Sequence, residues 1–140
     1  QPFVTSVMGQ NETLRVALDM TEEWDKATDG ASGLTMGCVV VRTEFVQQNK
    51  EALDLFLDEY ERSVQTVTSA EGLEHAAQLA EQYNIVKAPV ARKAIPACNI
   101  VFVQGEQMQQ IAGGFLEVLY QANPKSVGGK LPDANFYYNR

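Results

Sequence analysis

Between Asn49 and Thr68 the apolar positions Leu53, Phe56, Leu57, Tyr60, Val64 and Val67 recur at helical spacing. The carboxylates Glu51, Asp54, Asp58, Glu59 and Glu61 fall mostly on the other faces, which predicts the longest helix of the chain with Asn49 as N-cap. Ser69 is placed to cap a second helix over about 70–83, with Leu73, Ala76, Ala77 and Ala80 on one side and Asn84 as its stop. A short helical turn over 89–95 ends at Pro96. A further helix runs from Glu106 to about Ala122, with Met108, Ile111, Ala112, Phe115, Leu116 and Leu119 on its apolar stripe. Gly113 and Gly114 interrupt that stripe at about 1 kcal/mol each relative to Ala, and close packing against another element is the usual reason for such a pair.

Three shorter segments carry strand character. Residues 14–18 (Leu-Arg-Val-Ala-Leu) alternate. Residues 36–41 (Met-Gly-Cys-Val-Val-Val) form the unalternating apolar run of a strand covered on both faces, and 99–103 (Asn-Ile-Val-Phe-Val) is β-branched and apolar. Thr21 to Gly33 reads as a polar, turn-prone stretch around the one tryptophan, Trp24. The tail from Asn123 is rich in Gly, Pro and Asn and ends in the cluster Phe136-Tyr137-Tyr138. The expected class is therefore α/β, with helices packed on a small mixed sheet whose central strand lacks some of its neighbours.

A length of 140 residues suits one domain of ordinary size, able to bury roughly 70% of its unfolded surface. No apolar run approaches the ~18 residues of a membrane span. Eleven Lys and Arg stand against 18 Asp and Glu, a net charge of −7. With no Lys/Arg cluster to offset it, this acidity argues against nucleic-acid binding. The opening Gln1-Pro2-Phe3-Val4-Thr5 has neither initiator Met nor signal segment, which raises the expectation of a piece of a longer protein.

Candidate chemistry is sparse. Cys38 and Cys98 read either as small buried apolar residues or, in an extracytoplasmic protein, as partners in a disulfide between neighbouring strands. Zinc would need more ligands than His75 adds, so no metal site and no cofactor are expected. His75 is the sole histidine, with no nucleophile elbow to serve, and no enzymatic activity is expected. Val127-Gly128-Gly129-Lys130 lacks the first Gly and the Ser/Thr of a phosphate loop and reads as a turn. Asn11-Glu12-Thr13 is a glycosylation triplet of low specificity. What remains is Phe3, Thr5, Trp24 and Thr35 beside predicted strand ends, where ligands dock in α/β sheets.

Several segments taken in order resemble a known family. They are Gln1-Pro2-Phe3-Val4-Thr5, residues 14–24 (through Asp19-Met20-Thr21-Glu22-Glu23-Trp24), residues 36–42, and Ile95-Pro96-Ala97-Cys98-Asn99-Ile100-Val101-Phe102. Asn123-Pro124-Lys125-Ser126-Val127-Gly128-Gly129-Lys130-Leu131-Pro132 and Phe136-Tyr137-Tyr138 complete the series. Together they resemble the C-terminal part of ABC-transporter substrate-binding proteins, in the group that binds nitrate, sulfonates, taurine and thiamine precursors.

The resemblance implies a partial type II periplasmic-binding-protein fold, its N-terminal half absent. Residues 1–33 would end the second lobe and 34–140 would form the C-terminal part of the first. It implies an extracytoplasmic, lipid-anchored protein, the anchor lying outside this chain, that closes two lobes on a small organic or oxyanion solute and delivers it to a permease. Carried over by position, the ligand-binding candidates are Phe3, Thr5, Trp24, Thr35, Met36 and Asn99; Gln1 stands where the family motif has Glu. The chain by itself is expected to bind solute poorly and to self-associate, with a homodimer as the expected form. The alternative expectation is a self-contained α+β protein-interaction module with no transport role.

Overall fold

In the computed structural model, which describes residues 1–140, the chain forms seven α-helices and three short 3₁₀ turns, with no strand. The helices are α1 (Phe3–Gln10), α2 (Met20–Thr28), α3 (Thr43–Gln48), α4 (Lys50–Thr68), α5 (Leu73–Gln82), α6 (Ala88–Ala94) and α7 (Gly105–Ala122). The expected α/β class, with helices on a small mixed sheet of periplasmic-binding-protein type, is therefore incorrect for this chain. The physical reason lies in what strand propensity measures. β-Branched alternation records fitness for a pleated, half-buried surface, but a strand exists only where its N–H and C=O groups meet another extended segment. Residues 14–19, 33–42 and 99–104 carry no helix and pair with nothing in a ladder.

The chain divides into two compact units. The first comprises Gln1–Arg15 and Glu44–Phe102. Here α4 packs on α5, α5 on α6, and α1 on α6. Its buried apolar residues are Leu53 and Val64 on α4, Ala77 on α5, and Ala91 and Ala94 on α6. Alanine at these positions lets the α5 and α6 backbones approach closely. The turn from α4 into α5 is fixed by Ser69, whose Oγ donates to the Thr66 carbonyl and accepts from the Gly72 N–H at 2.9 Å. Gly72 has to be glycine, because a Cβ there would run into the Thr66 carbonyl. Asn84 closes α5 in the left-handed region (φ 56°), as its stop role requires. Beyond it, Glu81 accepts from the Ala88 N–H at the start of α6 and pairs with Lys87 at 2.9 Å. Arg92 of α6 then reaches back to Glu74 of α5 with two hydrogen bonds, 2.6 and 2.8 Å.

The second unit comprises Val16–Thr43 and Val103–Arg140. Asp19 caps α2 by accepting from the Thr21 and Glu22 N–H groups, so the stretch read as turn is helix as far as Thr28. Trp24 of α2 rests on Phe115 of α7, ring centroids 5.2 Å apart, and its indole Nε1 donates to the Ser32 carbonyl and hydroxyl. Ser32 is buried against Gly114 of α7, where a Cβ would sit 2.7 Å from the serine Cβ. The tail folds back on α7, and buried Tyr137 places its hydroxyl 3.5 Å from where a Cβ on Gly113 would be.

Little apolar surface is buried for a chain of this length. The accessible area is 10590 Å², whereas two separate bodies of half its mass would together expose only about 8,700 Å². Phe3, Met36, Val40, Ile85 and Val101 are among the large apolar side chains left exposed.

Candidate functional site

The six residues nominated from the sequence lie in both units. Phe3, Thr5 and Asn99 belong to the first, and Trp24, Thr35 and Met36 to the second. Phe3 is exposed on α1, and Thr5 donates its hydroxyl to Gln1 Oε1 at 2.6 Å. Thr35 donates to the Gly33 carbonyl at 3.4 Å, Met36 is exposed, and Trp24 is engaged with Phe115 and Ser32. Cys38 and Cys98 are both exposed free thiols. Cys98 Sγ–H donates to the Ala94 carbonyl at 3.2 Å.

Asn99 is the nominated residue that lines a cavity. Residues 67–70, with Leu73, form one wall where α4 turns into α5, and Ile95, Pro96, Asn99 and Ile100 form the other. Pro96 ends α6 by removing a backbone donor, and the chain reverses through Asn99 in the left-handed region (φ 51°), a conformation asparagine tolerates better than most residues. The cavity measures about 360 Å³, at the lower end of the range for small-molecule sites. Its lining is mainly apolar: Val67, Leu73, Ile95, Pro96 and Ile100. Polar character comes from Thr68, Ser69 and Asn99, and no Lys, Arg, His, Asp or Glu reaches it. The Thr68 hydroxyl donates to the Val64 carbonyl at 2.8 Å, whereas that of Ser69 both donates to Thr66 and accepts from the Gly72 N–H, so Thr68 is the freer acceptor of the two. An oxyanion would meet no positively charged side chain here.

A smaller cavity of about 220 Å³ lies in the second unit between Gln109 and Gly113 of α7 and the tail residues Leu131–Ala134 and Tyr137. It holds one carboxylate, Asp133, which accepts from the Asn135 N–H at 2.9 Å, and the Tyr137 phenol, whose ionisation burial pushes up. None of the residues nominated from sequence lines it, and its volume falls below that of ordinary ligand sites.

The Asn99 cavity was only partly legible in advance. Asn99 stood out as a polar residue opening an apolar segment, but the opposing wall came from Thr68 and Ser69, read only as helix end and cap. No family model, no curated protein and no solved structure matches the chain.

Proposed function

We propose that this chain is a non-catalytic solute-holding part of an ABC importer's extracytoplasmic binding protein, and that its solute is a small neutral heterocycle of the pyrimidine kind. The sequence segments that resemble such binding proteins support the transport role. The observation that carries the choice of solute is the cavity at Asn99, whose lining holds no charged side chain. Sulfonate and nitrate carry full negative charge, and their binding calls for charge-assisted donors that this cavity lacks. The all-helical architecture counts against the case, since the resemblance implies lobes built on sheets.

Ligand-observed NMR with uracil, taurine and nitrate, each in turn, tests the reading. Weak uracil binding is expected, in the range of about 10 µM to 1 mM for a site with few directed contacts. It should be lost in Asn99→Ala, with no binding of either anion. Binding of taurine or nitrate in preference to uracil, or uracil binding indifferent to Asn99→Ala, would overturn it, as would no binding at all.

A second reading, a protein-interaction module without a transport role, is favoured by the apolar side chains left exposed along both units. Disruption of the gene separates the two: uptake of labelled pyrimidine falls under the first reading and is unchanged under the second.

A further inference from the structure

We propose that the cavity between α7 and the tail of the second unit binds a small organic ammonium ion, with its charge at Asp133 and its apolar body against Leu131, Pro132 and Tyr137. Tyr137 is only 9% exposed, yet its hydroxyl takes part in no hydrogen bond of the chain. Every sealed side-chain oxygen and nitrogen in the structure has a partner, so this hydroxyl is open to the cavity that Tyr137 lines. It stands 3.5 Å from the Cβ position of Gly113, which lines the same cavity from α7. One helical turn earlier on the same wall, the half-buried Gln109 side-chain amide is also without a partner in the chain. Folding took both groups out of bulk water without giving them a protein partner, which costs stability unless something in the cavity supplies the bond.

Charge and size select the occupant. Asp133 is the one charged residue of the lining; its Oδ1 accepts from the Asn135 N–H at 2.9 Å, and no cation of the chain pairs with it. An anion would meet repulsion from Asp133 and from the net charge of −7, whereas a cation is drawn by both. The Tyr137 and Gln109 oxygens add acceptors for the N–H groups of an ammonium, and Leu131 and Pro132 give its hydrocarbon part an apolar wall. A volume of about 220 Å³ is the room of roughly seven waters, which sets the ligand at about six non-hydrogen atoms. The site lies wholly within the second unit and is independent of the cavity at Asn99, which lies in the first.

Cyclopentylammonium and cyclopentanol have the same shape and differ in charge, so titrating each into the ¹⁵N-labelled chain isolates the role of Asp133. The expected result is millimolar binding of the ammonium, about fivefold tighter than the alcohol, because Asp133 is exposed at the mouth and water screens the pair. Amide shifts should centre on residues 109–113 and 131–137, and ~0.5 M NaCl should weaken the ammonium and leave the alcohol unchanged. Asp133→Asn keeps an acceptor for the Asn135 N–H and should bring the two ligands level. Tyr137→Phe should weaken the ammonium by about twofold or more, and an unchanged circular dichroism spectrum will show that each variant folds. Should either variant fail to fold, the comparison of the two ligands and the shift map on the wild-type chain still decide. No ammonium binding, equal binding of the alcohol, shifts centred elsewhere, or indifference to Asp133→Asn or Tyr137→Phe would each overturn the proposal.

Discussion

Replacing Gly113 and Gly114 by alanine, one at a time, should move the stability of the second unit in opposite directions. Both lie inside α7, where alanine gains up to about 1 kcal/mol of helix propensity over glycine. At Gly113 the new methyl would meet the Tyr137 hydroxyl at 3.5 Å, an ordinary contact, so most of that gain is kept. At Gly114 it would stand 2.7 Å from Ser32 Cβ, well inside the ~3.5–4.0 Å of a relaxed carbon pair. Ser32 cannot simply withdraw, because the Trp24 indole holds both its carbonyl and its hydroxyl. Overpacking of this kind costs about 1–3 kcal/mol, so Gly114→Ala should be between neutral and about 2 kcal/mol destabilising. A difference of about 1–3 kcal/mol between the two variants then corresponds to roughly 4–8 °C of melting temperature per kcal/mol for a unit of this size. Trp24 is the one tryptophan, so thermal melts followed by its fluorescence report on this unit. Equal melting temperatures, or Gly114→Ala the more stable, would refute the close-approach argument.

Asp19→Ala removes both cap hydrogen bonds at the start of α2 and should cost about 1 kcal/mol, read as a lower urea midpoint of Trp24 fluorescence; an unchanged midpoint rules the cap out as a stabilising element. Glu74 has its carboxyl held below the ordinary value of 4.5, chiefly by the Arg92 guanidinium and next by the Gln78 amide. A depressed carboxyl contributes stability above that ordinary value and loses it as pH falls through the lowered one. Wild type should therefore melt above Glu74→Gln at neutral pH and converge with it as the pH falls below the lowered value, and a gap that widens in acid would contradict this.

The helices that could be read in advance were those whose own apolar stripe specifies them. The 49–68 and 106–122 patterns became α4 and α7 almost to the residue, and Asn84 took the stop role its chemistry suggested, whereas Ser69, expected to cap the second helix, closes α4 instead and α5 starts at Leu73 with Gly72 as its N-cap. The pattern hid α2 because Thr21–Gly33 is polar overall, yet Asp19 followed three residues later by Glu22 is a helix-start signal that was there to be used. The three expected strands failed for a different reason. Propensity is local, whereas a ladder is a relation between segments, and residues 36–41 carry the first without the second. The two glycines of α7 show the same division: the sequence marked a cost, and the structure locates the close approach at Gly114 and not at Gly113.

The α5–α6 pair has a consequence for the order in which the chain acquires structure. Its fastenings, Glu81 to Ala88 and Lys87 and Glu74 to Arg92, span at most 18 residues of sequence. Such short loops close at little entropic cost, and contacts of low sequence separation form fast. By contrast, α1 reaches α6 from the far end of the first unit, and Trp24 meets Phe115 across most of the chain. The helical hairpin from Leu73 to Ala94 is thus the segment able to form while the rest is still unfolded, and α1 and α4 have a ready-made surface on which to condense.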